Sequence, residues 1–412
     1  MLISIRMWFK TSLKIYLTHT KGFVSNRIIS GNLMLWIIGL ALIVAILTWI
    51  CLVSKKRRKF ITERDHYLKT GDICLNMVSE TMWITRGQGV HTAFLDAIDL
   101  LSGTPKLIIK VNGNGTGNIF HSHTYGLYYF WRGRKYKGRR ILTAHVIPDS
   151  STGALPFSKC LMPVTTWYLK KAYSYADVVI AISPTVEQTL KNLGVSSKIV
   201  RINNPVISAK WKRTAENRIK GREKLGIKNG EILIIGVGQL QQRKGVEDFM
   251  DIAAAIPNSR FTWIGGRPWG VFTEGINRIN KRIENATDNI SFTGLLGIHD
   301  MPEMYAAADI FLFPSYQENC PLAPLEAAAS GLPVIFRDIK EYTSLYNHPY
   351  LKAGSTAEFI GITENLIEDD QYYRSAITMS CNLLKEFDKE KIKQDLLELY
   401  RLTLEDYFKI NN

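Results

Sequence analysis

Phe311-Leu-Phe-Pro-Ser-Tyr-Gln-Glu318-Asn-Cys-Pro-Leu-Ala-Pro-Leu-Glu326-Ala-Ala-Ala-Ser-Gly331-Leu-Pro-Val-Ile335 is the stretch that decides the fold. Its apolar start ends at Pro314 and predicts a buried strand. A polar loop follows, and Ser315 to Asn319 offer side-chain oxygens to the free N–H groups of a helix start. Leu325 to Ala329 favours helix, and Gly331-Leu-Pro333 stops it. Val334-Ile-Phe336 predicts the next strand. Ligands of such parallel units bind at the strand-to-helix loops. Glu318 falls in that loop, and Glu326 about two turns into the helix. A helix start attracts anions through its N–H groups and dipole. A carboxylate there would repel a diphosphate, so Glu318 is assigned to the hydroxyls of a neighbouring sugar.

Upstream, Ile232-Leu-Ile-Ile-Gly236 predicts the strand that opens a second domain. Gly238-Gln-Leu-Gln-Gln-Arg243-Lys244-Gly245 forms a loop before a helix over 246–255. Two adjacent cations at such a loop clamp a diphosphate, Arg243 as a planar fork and Lys244 as a point charge. Phe261-Thr-Trp-Ile-Gly265 and Ser291-Phe-Thr-Gly294 are further strand-to-glycine turns.

The first half repeats the alternation. Ile73 to Val78 predicts a strand, the loop around Gly87 and Gly89 follows, and Thr92 to Leu101 predicts a helix. A glycine-rich turn there lets a ligand approach the backbone closely. Ile119-Phe-His121-Ser-His123 and Ile141-Leu-Thr-Ala-His145 are strands that end in histidine. His121 and His123 share a strand face, but no third ligand is evident, so no metal site is assigned. Arg132, Arg134, Lys135, Lys137, Arg139 and Arg140 lie among aromatic residues and glycines with no acid between them. That run reads either as a solvated helix end or as a docking patch for acidic lipid headgroups. Residues 155–175 mix Trp167, Tyr168 and leucines with lysines, which suits both a buried helix and one that dips into a bilayer interface. Residues 199–206 read as the domain junction, and 210–228 as a charged linker helix.

The Glu318 and Glu326 pair resembles that of retaining glycosyltransferases with the GT-B fold, of the family 4 type. The wording Tyr-Gln-Glu318-Asn-Cys-Pro and the Pro148-Asp149-Ser150 segment after His145 are similar to bacterial diacylglycerol glucosyltransferases. The resemblance covers residues 71–408. It implies two Rossmann-like α/β domains facing each other, an acceptor domain over 71–205 and a nucleotide-sugar domain over 206–388. A last helix over 389–408 is expected to cross back to the first domain. The resemblance implies that Glu318 holds the donor sugar and that His145 lies over it. Lys244, Arg243, Glu326, Gly294 and Leu322 would bind the donor, and Gly87 and Gly89 would lie where donor and acceptor meet. The implied donor is a UDP-sugar, read as UDP-glucose, and the acceptor a membrane lipid such as diacylglycerol. No cofactor or metal is expected, since no Asp-x-Asp motif occurs. Assembly of a polysaccharide or polyprenyl-linked saccharide uses the same motifs. A sugar-nucleotide epimerase or a binding relative is the third reading. The departures are Asn319-Cys-Pro321 in place of Gly-Phe-Gly, and Gln239 in place of an arginine.

The chain of 412 residues has room for both domains and an extension, and its net charge of +15 favours an anionic partner. Five scattered cysteines without a Cys-x-x-Cys pair indicate neither a disulfide framework nor a zinc site. Residues 33–53 form an uncharged apolar run with Trp36 and Trp49 near its ends, long enough for a transmembrane helix. Residues 1–32 precede it as a basic tail, and Lys55-Lys-Arg-Arg-Lys59 follows it. The positive flank puts the catalytic domains on the cytoplasmic side of the cell membrane as a single-pass protein. The span also favours an anionic membrane surface over nucleic acid as partner of the basic run.

Overall fold

A computed structural model of the chain describes residues 67, 69–83, 89–113, 118–135, 138–151, 158–267 and 276–410. The tail 1–32, the apolar run 33–53, Gly87 and Lys137 lie outside the described residues. Among the described residues, no helix is long and apolar enough to cross a membrane.

Among the described residues, twelve strands form two six-stranded parallel sheets. The first holds β1 (Ile73–Val78), β2 (Leu107–Val111), β3 (Ile119–Ser122), β4 (Arg139–Ala144), β5 (Val178–Ala181) and β6 (Lys198–Arg201), in the order β2-β1-β3-β4-β5-β6. The second holds β7 (Leu233–Val237), β8 (Arg260–Ile264), β9 (Ile290–Gly294), β10 (Ile310–Phe313), β11 (Val334–Arg337) and β12 (Leu351–Ala353), in the order β12-β11-β10-β7-β8-β9. Strands covered on both faces read as unbroken apolar runs, and β5 (VVIA) and β10 (IFLF) are buried throughout.

Among the helices that connect and follow the strands are α1 (Gly89–Leu101), α2 (Leu127–Lys135), α3 (Ser158–Ser174), α4 (Val246–Ala255), α5 (Met301–Ala307), α6 (Ala323–Ala329) and α7 (Lys389–Ile410). Helix α1 starts three residues earlier than the sequence indicates, so Gly89 is its first residue. In the second sheet Phe249, Phe261 and Trp263 pack edge to face at the centre of the core. In the first, Leu75, Phe94 and Ile141 share a core with Ile392, Leu396, Leu399, Tyr400 and Leu404 of α7. The last helix thus belongs to the core of the first sheet.

A parallel sheet opens a crevice where strand order reverses, beyond the carboxyl ends of the strands. In the second sheet that point lies between β7 and β10. The loops 238–245 and 314–322 leave those two strands.

Candidate active site

The two loops at the second sheet's crevice are stitched together by the backbone. Gly245 is left-handed, with φ of 71°, and a Cβ there would lie 2.2 Å from the Pro314 carbonyl oxygen. Only glycine allows this approach. The Tyr316 N–H donates to the Arg243 carbonyl at 2.8 Å. Lys244 Nζ consequently meets the Glu318 carboxylate in a nearly buried ion pair. The Ser315 hydroxyl donates to the same carboxylate at 2.7 Å. Burial pushes the Glu318 carboxyl upward, but the Lys244 and Arg243 charges outweigh it and hold it below the usual carboxylate range. Arg243 reaches the Gln241 side chain at 3.0 Å and the Gln317 carbonyl at 3.2 Å.

Glu326 sits in the first turn of α6, not two turns in. The helix begins at Ala323 with no side-chain cap, because Ser315 to Asn319 bond to other parts of the molecule instead. Glu326 is buried and accepts the Tyr305 hydroxyl of α5 at 2.6 Å. Burial pushes its carboxyl up to about 7, the Tyr305 bond opposing and nearby Asp96 of α1 adding to the rise. Asp96 is itself buried and paired with Lys210 at 2.8 Å. Leu322 precedes α6, and its carbonyl takes the Glu326 N–H at 2.8 Å. Gly294 ends β9 in a left-handed turn, and its carbonyl takes the Gly265 N–H at 3.0 Å.

Across the cleft, β3 and β4 deliver three buried histidines. His145 Nε2 lies 3.0 Å from His123 Nδ1, with the rings stacked. His121 lies 2.8 Å from the Tyr400 hydroxyl of α7 and 2.7 Å from Thr143 Oγ1. Burial drives His121 and His145 down to about 3 and lowers His123 as well. All three are therefore neutral near pH 7. The neutral His145 ring is thus hydrogen-bonded to that of His123, one nitrogen donating and the other accepting. The His145 carbonyl accepts from Asn319 of the opposite loop at 2.8 Å.

Comparison with known proteins decides what this cleft belongs to. Residues 113–210 match the model described as Glycosyltransferase Family 4, and residues 231–369 match that of Glycosyl transferases group 1. The chain is a family 4-type glycosyltransferase. Alpha-galactosylglucosyldiacylglycerol synthase of Streptococcus pneumoniae is 28% identical over 332 residues, 79% of this chain and 88% of that protein. Processive diacylglycerol alpha-glucosyltransferase of Acholeplasma laidlawii is 27% identical, over 63% of this chain and 78% of that one. HepE of Anabaena, in complex with UDP and glucose, shares the fold with a TM-score of 0.65 at 15% identity, over 79% of this chain and 99% of that one.

The basic run of the glycosyltransferase is not a single face. Arg139 pairs with Asp177 at 3.0 Å, and Arg140 is buried with its guanidinium 3.8 Å from the centre of the Tyr175 ring. Both leave the expected docking patch, because pairing of β4 with β3 draws them into the sheet beside Asp177. Arg132 donates to the Tyr128 hydroxyl at 2.7 Å and lies over the Trp131 ring. Arg134 and Lys135 fall at the end of α2. The sequence reading missed Tyr305, Asp96 and Asn319. In the sequence Asn319 stands out only as a candidate helix cap and as the place where the family carries glycine.

Proposed function

We propose that this glycosyltransferase moves a hexose, read as glucose, from UDP-glucose to a membrane lipid of the diacylglycerol class, with retention and without a divalent ion. The observation that carries the reading is the Lys244–Glu318 pair at the second sheet's crevice, bonded through its loop to that of His145. Lys244 and Arg243 would take the diphosphate charge as it leaves. Glu318 would hold the donor sugar, and Glu326 the ribose hydroxyls. Gly294 and Leu322 would shape the nucleotide side, and Gly87 and Gly89 the acceptor side. The lipid acceptor is supported by the names of the two diacylglycerol relatives, and the donor by the UDP and glucose of HepE.

Membrane attachment belongs to the same proposal. Residues 33–53 would form one span, with the catalytic domains cytoplasmic. Trp83, Leu127 and Trp131 are exposed apolar residues of the acceptor side, as are Val164 and Trp167 of α3. With Arg132 beside Trp131, they suit an interfacial surface.

The test uses the full chain in anionic vesicles with EDTA present. UDP-glucose and UDP-galactose are each offered with diacylglycerol, glucosyldiacylglycerol or a polyprenyl phosphate. A glycosyldiacylglycerol product is expected. Turnover abolished by EDTA, or a polyprenyl product alone, defeats the reading.

Glu326 adds a pH signature. Its carboxyl is half protonated near pH 7 in the free protein, and hydroxyl binding favours the carboxylate. Donor binding must therefore expel a proton at low pH, and affinity rises with pH before levelling above about 7. UDP-glucose, whose diphosphate is ionised throughout, is expected to bind about ten-fold more weakly at pH 6 than the plateau, by linkage. Calorimetry from pH 5.5 to 8.5 checks this, with Glu326→Gln expected to flatten the profile. The same slope in that variant removes Glu326 from the account.

A further inference from the structure

Both ends of the Asn319 side-chain amide are engaged. Its Nδ2 donates to the His145 carbonyl at 2.8 Å and to Ser150 Oγ at 2.8 Å. Its Oδ1 accepts from Gln317 Nε2 at 3.1 Å. A carbonyl oxygen can only accept, so the amide orientation is fixed by chemistry. Ser150 Oγ also takes the Ile147 N–H at 3.2 Å, which folds the segment after His145 back on itself. On the donor side, Gln317 receives Arg243 through both its carbonyl and its side-chain oxygen at 3.2 Å. A continuous line of hydrogen bonds thus runs from the Arg243 cation, through Gln317 and Asn319, to the backbone of His145. One end leaves β7 and β10 of the second sheet, and the other leaves β4 of the first.

We propose that Asn319 is a positioning residue for transfer, which ties the donor loop to the segment 145–150 and holds His145 in register with Glu318. Its part in transfer rests on the donor reading above; the tie itself does not. A glycine at this place has no side chain to span the cleft. Aspartate keeps the shape but turns an acceptor toward an acceptor at the His145 carbonyl. A register error of about an ångström at reacting groups costs on the order of 100-fold in rate.

Hydrogen exchange on the full chain reads the tie without any substrate. Asn319→Ala and Asn319→Asp are expected to speed exchange across residues 145–150, which lie in the other domain, while residues 241–245 keep the parental rate. With UDP-glucose, kcat is expected to fall by about ten-fold or more while KM for the donor stays within about two-fold. Ser150→Ala should cost less in the Asn319→Ala background than in the parent, since one of the two hydrogen bonds of Ser150 Oγ is already gone there. Unchanged exchange at 145–150 overturns the proposal, as does a loss that appears only in KM or a fully additive double variant. If the parent protein does not bind UDP-glucose by calorimetry, the donor reading fails while the exchange result still decides the tie.

Discussion

Glu318→Gln is expected to lower glycosyl transfer by about 100- to 1,000-fold, the range for losing one preorganised charged partner, while UDP binds as well as before or more tightly. Glutamine keeps the volume and still accepts from Ser315 and Lys244, so the loop has no steric reason to move. What disappears is the charge. A carboxylate accepts hydroxyl hydrogen bonds far more strongly than an amide does, and in the proposed role it would offset positive charge developing at the sugar carbon. The nucleotide sees the opposite change. In the free protein Glu318 occupies the Lys244 ammonium, and a diphosphate arriving there must share it. The amide holds that cation only as a neutral acceptor, so the substitution deletes a repulsive neighbour of the diphosphate. Calorimetry with UDP and transfer kinetics on one preparation check both halves. Parental turnover, or UDP affinity that collapses with turnover, refutes the assignment.

The second large effect is on folding. Gly245→Ala is expected to destabilise the second domain by roughly 3 kcal/mol, combining the left-handed backbone penalty with overpacking. The added methyl would sit 2.2 Å from the Pro314 carbonyl oxygen, which is backbone on a buried strand end and cannot step aside. Relief requires the 238–245 loop to lift from β10, which separates Lys244 from Glu318. Gly226→Ala is the matched control. Gly226 has a φ of 66° but no atom within 4 Å of its would-be Cβ, so only the backbone penalty of about 1 kcal/mol applies. Thermal melts should show Gly245→Ala falling well below Gly226→Ala, with little UDP binding left. Equal melting shifts for the two would show that the close approach to Pro314 carries no weight.

The elements were legible in the sequence where local chemistry decides them. Apolar runs mark β5 and β10, and Ser183 caps the helix opened by Pro184, its side chain accepting the Val186 N–H. Histidines at strand ends and the Lys244-Gly245 turn were visible for the same reason. What the sequence hides depends on distant partners. Arg139 and Arg140 look like part of a surface run, yet both meet Asp177, nearly forty residues on, Arg139 through its side chain and Arg140 through its N–H. Ser315 to Asn319 look like helix caps, but Asn319 finds its acceptors 169 and 174 residues away. The glutamate pair marks Glu326, but not the Tyr305 hydroxyl that bonds it or the Asp96 charge that acts on it.

His121 bonds a tyrosine 279 residues further along the chain, and the helix that carries Tyr400 fills the core of the first sheet. During synthesis β1 to β6 leave the ribosome long before α7 exists. The early half must therefore wait with apolar surface uncovered until the final helix emerges, while the 233–353 sheet has all its strands in hand first. Of the two sheets, the one translated first is the one completed last.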